Sequence, residues 1–368
     1  MWGDIIIAFL LAFITSFVIT PKTIKLAKRL GAVDEAGERR VNQTEVPRLG
    51  GVAVLAGFIV SVTYLLISLS LENQLNLVEG NYHFKLIGYF IGAAIIAITC
   101  FIDDVKNLSA LTKLIMQIVA ASVVVASGIK IDISNFEVFK FFSDSTNFLQ
   151  TISIIVTYGW IIGITNAINL IDGLDGLSSG ISIISCVSML IIFILNGSPL
   201  VAIVLITALI GALTGFLPYN LNPAKTFIGD TGSNFLGFSI AIISILGVAK
   251  TYTAFVVVAP IIVLGLPIFD TIFAIFRRII KSKSIKGVMK PDAGHVHHKL
   301  LQYGFSQKEA VIILYCVSTC LGMFAIIYLE SGIGKAISFL LIAIAAFALG
   351  IQEFVSTFKE NSKEKNNK

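Results

Sequence analysis

The chain has 368 residues, 56% hydrophobic and 13% charged, with 27 Lys and Arg against 22 Asp and Glu and a formal charge of +5. So large an apolar share cannot be hidden in one soluble core, which excludes a globular soluble enzyme and leaves an all-α polytopic integral membrane protein. The four cysteines, Cys100, Cys186, Cys316 and Cys320, all lie in apolar runs and read as buried small hydrophobes.

Apolar runs long enough to cross a bilayer fall at about 2–20, 49–71, 85–102, 111–127, 148–166, 178–195, 199–217, 232–249, 253–276, 309–329 and 333–355, about eleven helices in all. Met1 to Thr20 has no basic leader and no small-residue cleavage site, so a retained first helix is expected rather than a signal peptide. An odd number of spans puts the termini on opposite sides. With the N-terminus outside, 22 of the 27 basic residues fall in inner segments and 5 (Lys85, Lys130, Lys140, Lys250 and Lys335) in outer ones. Cytoplasmic loops hold the excess of Lys and Arg, so the expected topology is N-out/C-in. Residues 1–358 read as a single transmembrane domain without internal repeats, and 359–368 as a polar tail expected to be disordered.

This orientation gathers the polar clusters at 41–51, 103–111, 166–177, 218–233 and 286–308 on the cytoplasmic side. Asp103 and Asp104 emerge at the end of the third span, and adjacent acids resist joint ionisation, which implies either a compensating cation or a raised pKa. Asn166 to Leu177, NAINLIDGLDGL, offers amides, carboxylates and glycines at the end of an apolar run. A carboxylate costs roughly 3 kcal/mol at the bilayer centre, so this segment belongs at a membrane face or in a wet cavity. Asn166 and Asn169 can share one side of a helix, while Gly173 and Gly176 favour release into a loop. In Phe227 to Ser233, FIGDTGS, the carboxylate Asp230 stands among glycines and hydroxyls ahead of a span, suited either to helix capping or to an anion with a cation beside it. Three of the four histidines, His295, His297 and His298, form an HxHH pattern among lysines, surroundings that suit a phosphate better than zinc.

Taken together, VPRLGG from Val46 to Gly51, the Asp103-Asp104 pair, NAINLIDGLDGL, FIGDTGS and PDAGHVHHKLL from Pro291 to Leu301 resemble the motifs of the polyprenyl-phosphate N-acetylhexosamine-1-phosphate transferases, of glycosyltransferase family 4 type. The PRLGG form and the HxHH run resemble the branch that uses UDP-N-acetylglucosamine (UDP-GlcNAc) more than the peptidoglycan branch that uses UDP-N-acetylmuramoyl-pentapeptide. Asn42 stands where that branch usually has His, and Ala36-Gly37 replaces a Pro-Asn.

The resemblance implies attack by undecaprenyl phosphate on the sugar-linked phosphorus of UDP-GlcNAc, with UMP leaving, at the cytoplasmic face of the bacterial plasma membrane. It implies Mg²⁺, or Mn²⁺ in its place, on Asp230 with the Asn169 amide as second ligand. Asp103 and Asp104 would lie near the lipid phosphate, to assist the metal or take a proton. Asp172 and Asp175 would read the uridine, Phe227 would stack on its base, and His295, His297, His298 and Arg48 would face the diphosphate or sugar. No nucleic-acid partner is expected, and a homodimer is compatible with this reading. The rival from another class is a proton- or sodium-coupled secondary transporter, which would place its acids near the midplane between repeats rather than at one face.

The topology has a direct check. A cysteine placed at Ser109 should be protected from a membrane-impermeant thiol reagent in intact cells and one at Ser143 should be labelled; the reverse pattern would invert the orientation.

Overall fold

A computed structural model of the chain describes residues 2–34, 45–71, 82–133, 146–248, 254–282 and 294–346. Asn42, Ala36, Gly37, Ser143, residues 291–293 and the 359–368 tail lie outside these. In chain order the elements are α1 (Trp2–Leu30), β1 (Val33–Asp34), β2 (Val46–Pro47), α2 (Gly50–Leu71), α3 (Tyr82–Lys106), α4 (Ala110–Ala126), α5 (Thr146–Ile171), α6 (Leu177–Leu195), α7 (Leu200–Asn220), α8 (Gly229–Val248), α9 (Ala254–Val263), α10 (Gly265–Ser282), α11 (Val296–Gln302) and α12 (Gln307–Ser331). A last helix, α13, spans Ile333–Ala346. The two short strands pair antiparallel, Val33 opposite Pro47 and Asp34 opposite Val46.

Among the described residues, eight helices are long and apolar enough to cross a membrane: α1, α2, α3, α5, α6, α7, α8 and α12. The chain is thus a multi-pass, all-α membrane protein. The three remaining runs read from the sequence differ in form. Residues 111–127 become the 17-residue α4, and 333–355 begins as α13, with its end outside the described residues. The run at 253–276 is broken at Leu264 into α9 and α10. Pro267 explains the break, because it has no N–H to return to the carbonyl of Val263. That freed carbonyl instead faces the Ser185 hydroxyl at 3.4 Å.

The bundle is organised around α8, whose residues from Thr231 to Gly247 are all buried and which packs against α2, α3, α5 and α7. Lipid tails are as apolar as leucine, so burial alone does not hold such a helix; close packing and hydrogen bonds do. Small residues let neighbouring backbones approach. A Cβ on Gly51 would sit 2.2 Å from the amide nitrogen of Gly232, and one on Gly237 would sit 2.6 Å from Cα of Thr165.

The α2–α8 contact sets the entry of both helices into the site. Gly51→Ala drives a methyl into backbone that cannot move aside, so a loss of about 1–3 kcal/mol is expected, read as a lower melting temperature in detergent. Gly163→Ala, with open space around its Cβ position, should melt with the wild type or slightly above it. Equal melting of the two variants would contradict the close approach.

Candidate active site

The α3–α4 corner is built by short-range hydrogen bonding. Asn107 adopts the left-handed region (φ 51°), which asparagine tolerates better than most residues, and its amide N–H reaches Asp103 O at 2.8 Å. The Leu108 amide donates to Asp103 Oδ1, and Ser109 caps α4 by accepting from Thr112 N at 3.1 Å. The resulting turn carries Lys113 back beneath the end of α3, where its Nζ lies 2.8 Å from Asp103 Oδ2 and 2.9 Å from Asp230 Oδ2. One ammonium therefore serves carboxylates that are far apart in sequence. Asn169, on the last turn of α5, donates from Nδ2 to Asp230 Oδ1 at 2.7 Å and to Ser233 Oγ at 2.8 Å.

Asp104 faces another way. Its Oδ1 accepts from Asp230 N and its Oδ2 from Thr231 N, each at 2.9 Å, with the Thr231 hydroxyl also on Oδ2. It thus caps the N-terminus of α8 from a different helix, placing negative charge where the free N–H groups and the helix dipole favour it. Gly229 (φ 68°) makes this approach feasible, since a Cβ there would lie 2.0 Å from Arg48 O.

The VPRLGG segment is tied to the same end of α8. Phe227 N donates to Pro47 O at 2.8 Å, Gly50 N to Phe227 O at 3.0 Å and Gly51 N to Ile228 O at 2.8 Å. Arg48 donates from Nε to Asp104 O at 3.0 Å and from Nη2 to Asn107 Oδ1 at 2.9 Å. The sequence reading turned Arg48 toward a diphosphate; in the fold these bonds make it a brace for the α3–α4 corner. Phe227 is half-buried, held through its backbone by both strands of this exchange.

The carboxylates of the DGLDGL loop also divide. Asp175, buried, accepts from Asn222 Nδ2 at 2.9 Å and Ala224 N at 3.0 Å, and so anchors the 221–226 loop. Asp172 accepts from the Ser178 hydroxyl at 2.7 Å, and burial pushes its carboxyl up to about 7. Next to it, a Cβ on Gly173 would lie 2.2 Å from His297 Nε2, so the imidazole lies against the loop backbone. His297 is buried with neither ring nitrogen hydrogen-bonded. Burial, together with the neighbouring His298 and His295, holds its pKa down at about 4, so the ring is neutral at pH 7.

His295 is oriented by Asp270 of α10, whose Oδ2 lies 2.8 Å from Nδ1 while Oδ1 accepts from Val296 N at 2.9 Å. The rings of His297 and His298 are 4.2 Å apart at their centroids. Among the described residues no group of three or more His, Cys, Asp or Glu is arranged to hold a metal ion.

The fold therefore brings Asp103, Asp104, Asn169 and Asp230 into one polar cluster, and sets His297 against the adjoining loop that carries Asp172, with His295 and His298 beside it. Two residues in direct contact with this machinery were not singled out as site residues in the sequence. From the sequence, Lys113 at the start of its span could face lipid headgroups or a bound phosphate, the first being the commoner role of an interfacial lysine. Asp270 lies inside an apolar run, and a carboxylate in such a run is itself the signal that could have found it.

The family model described as glycosyl transferase family 4 matches residues 86–248. The chain is 37% identical over 360 residues, 98% of its length and 94% of the relative's, to a probable undecaprenyl-phosphate N-acetylglucosaminyl 1-phosphate transferase of Bacillus subtilis (strain 168). It is 32% identical over 324 residues, 83% of this chain and 77% of the other, to a decaprenyl-phosphate N-acetylglucosaminephosphotransferase of Mycobacterium tuberculosis. A phospho-N-acetylmuramoyl-pentapeptide-transferase of Staphylococcus saprophyticus is 31% identical over 341 residues, 85% of this chain and 96% of that one.

The shifted groups give opposite pH dependences. His297, lowered from 6.5 to about 4, contributes stability that is present above about pH 6.5 and is lost as pH falls toward 4. Asp172, raised from 3.8 to about 7, contributes stability present in acid and lost as pH rises toward 7. Between about pH 7 and pH 5, His297→Gln should remove an acid sensitivity on the order of 2 kcal/mol, and Asp172→Asn should leave a steeper acid loss than the wild type. Thermal melts in detergent at the two pH values check both signs.

Proposed function

Because the chain belongs to glycosyl transferase family 4, we propose that it transfers N-acetylglucosamine-1-phosphate from UDP-GlcNAc to undecaprenyl phosphate. A phosphate oxygen of the lipid forms a bond to the sugar-linked phosphorus, the bond from that phosphorus to UMP breaks, and undecaprenyl-diphospho-N-acetylglucosamine stays in the bilayer. This would be the first membrane step of a teichoic acid, O-antigen or related glycan. The donor and acceptor are those in the printed name of the Bacillus subtilis relative, which spans nearly all of this chain, whereas the pentapeptide transferase is less similar and covers less of it.

The observation that carries the reading is the corner where Lys113 joins Asp103 to Asp230 at the ends of helices. Two anions must meet in this reaction, so the enzyme's work is positioning and charge neutralisation. The Lys113 ammonium, held by two carboxylates, is a fixed positive charge for the lipid phosphate. Asn169 aims the Asp230 carboxylate, and Asp104, with both oxygens engaged at α8, preserves the geometry rather than acting as a base. A phosphate monoester is largely ionised near pH 7, so a general base is not required.

The donors here are hard oxygens of Asp103, Asp230 and Ser233, with the Asn169 amide nitrogen turned to Asp230 and Ser233, and the two carboxylates already surround one cation; such a set fits Mg²⁺, which takes one or two protein ligands and leaves the rest to phosphate and water. Mg²⁺, or Mn²⁺ in its place, would be held by Asp230 with Asn169 beside it and would supply neutralising charge to the diphosphate. The neutral His297, pressed on Gly173, carries two buried ring nitrogens without a hydrogen-bond partner, and a small opening of the loop would turn them to the donor nucleotide. The distribution of basic residues supports placing this face in the cytoplasm of a bacterial plasma membrane.

Purified protein should release UMP from UDP-GlcNAc only when undecaprenyl phosphate and Mg²⁺ are both present, and chelation should stop it. Asp230→Asn should lower turnover by about a hundredfold or more while eluting as the wild type does on size exclusion; near-normal turnover would remove Asp230 from the centre.

A further inference from the structure

One turn beneath the ionic corner lies a second tier that carries no charge. Gln117 follows Lys113 by four residues, Asn166 precedes Asn169 by three, and Asn234 follows Asp230 by four, so each shares a helix face with a residue of the corner above it. Their amides form a relay. Asn166 Nδ2 donates to Gln117 Oε1 at 2.8 Å, Gln117 Nε2 to Asn234 Oδ1 at 3.0 Å, and Asn234 Nδ2 to Asp230 O at 3.0 Å. Gln117 and Asn234 are buried, at 4% and 2% exposure, where water cannot replace a lost partner. The relay joins α5, α4 and α8, the helices that carry Asn169, Lys113 and Asp230. Because α4 packs mainly on α3 and α5, its hold on α8 depends on side chains, Lys113 to Asp230 above and Gln117 to Asn234 below.

We infer that Gln117, clasped by Asn166 and Asn234, is a positioning residue that fixes the height of Lys113 against Asp230 and so sets the rate of phosphoryl transfer without touching either substrate. A neutral relay keeps this register whatever charge enters the site above it, which an ion pair could not do. The inference rests on the proposed transferase reaction, and wild-type UMP release is measured first, so that a failure of that reading shows before any variant is made.

The test uses the full chain purified in detergent with UDP-GlcNAc and undecaprenyl phosphate. Gln117→Leu should lower kcat on the order of tenfold to a hundredfold and leave KM for UDP-GlcNAc nearly unchanged. The double variant Gln117→Leu/Asn234→Leu removes the orphaned amide as well, so it should regain thermal stability while kcat stays low. Ser239→Ala, on α8 with Asn234 but away from the site, breaks the buried 2.9 Å bond from Tyr89 of α3 and should lose stability with kcat intact. Unchanged kcat in Gln117→Leu, a rise in KM alone, recovery of kcat in the double variant, or failure of both Gln117 variants to fold would each overturn the inference, the last by showing that the tier holds the fold rather than the site.

Discussion

Two carboxylates and one ammonium at the end of a membrane bundle define what the surrounding helices must do. Removing one partner from such a cluster leaves a charge where water is scarce, so the members are kept together or not at all. Lys113 lies between Asp103 and Asp230, which ties the end of α3 and the start of α4 to the start of α8. Since α8 is buried along its length, fixing its N-terminus fixes the centre of the molecule.

The segments that look most chemical in the sequence divide their tasks in the fold. VPRLGG contributes backbone: its amides and carbonyls exchange with Phe227 and Ile228, its glycines allow contact with α8, and Arg48 braces the corner. Asp175 likewise holds a loop, whereas burial raises the Asp172 carboxyl, and the unpartnered His297 lies against the next residue, Gly173.

Much of this was legible in the sequence because the bilayer imposes length and apolarity on every span. The 253–276 run reads as continuous, since hydropathy does not register a single missing N–H; Pro267 removes one, and Ser185 of α6 takes up the consequence. Asp103, Asn169 and Asp230 stand out in the sequence because polar groups at the ends of apolar runs are costly unless paired, and the fold brings the three together. Lys113 is ambiguous in the sequence between a lipid headgroup and a bound phosphate, as lysine at a membrane interface is ordinary until a carboxylate from another helix claims it. The distinct roles of Asp103 and Asp104 could not be read from their adjacency.

Successive helical residues point about 100° apart, and that geometry is what makes an adjacent acidic pair useful. Asp103 turns toward Lys113 while Asp104 turns toward the free amides of Asp230 and Thr231. Had the acids been separated by a full turn they would have faced the same neighbour and competed for it. Placed side by side, one carboxylate builds the helix terminus that presents Asp230, and the other shares a cation with the residue so presented. The two carboxylates therefore cannot drift apart, because a single peptide unit joins them, and any movement of α8 relative to α3 is felt by both. A reaction in which two phosphates must be held in register depends on just such coupling between neighbouring helices.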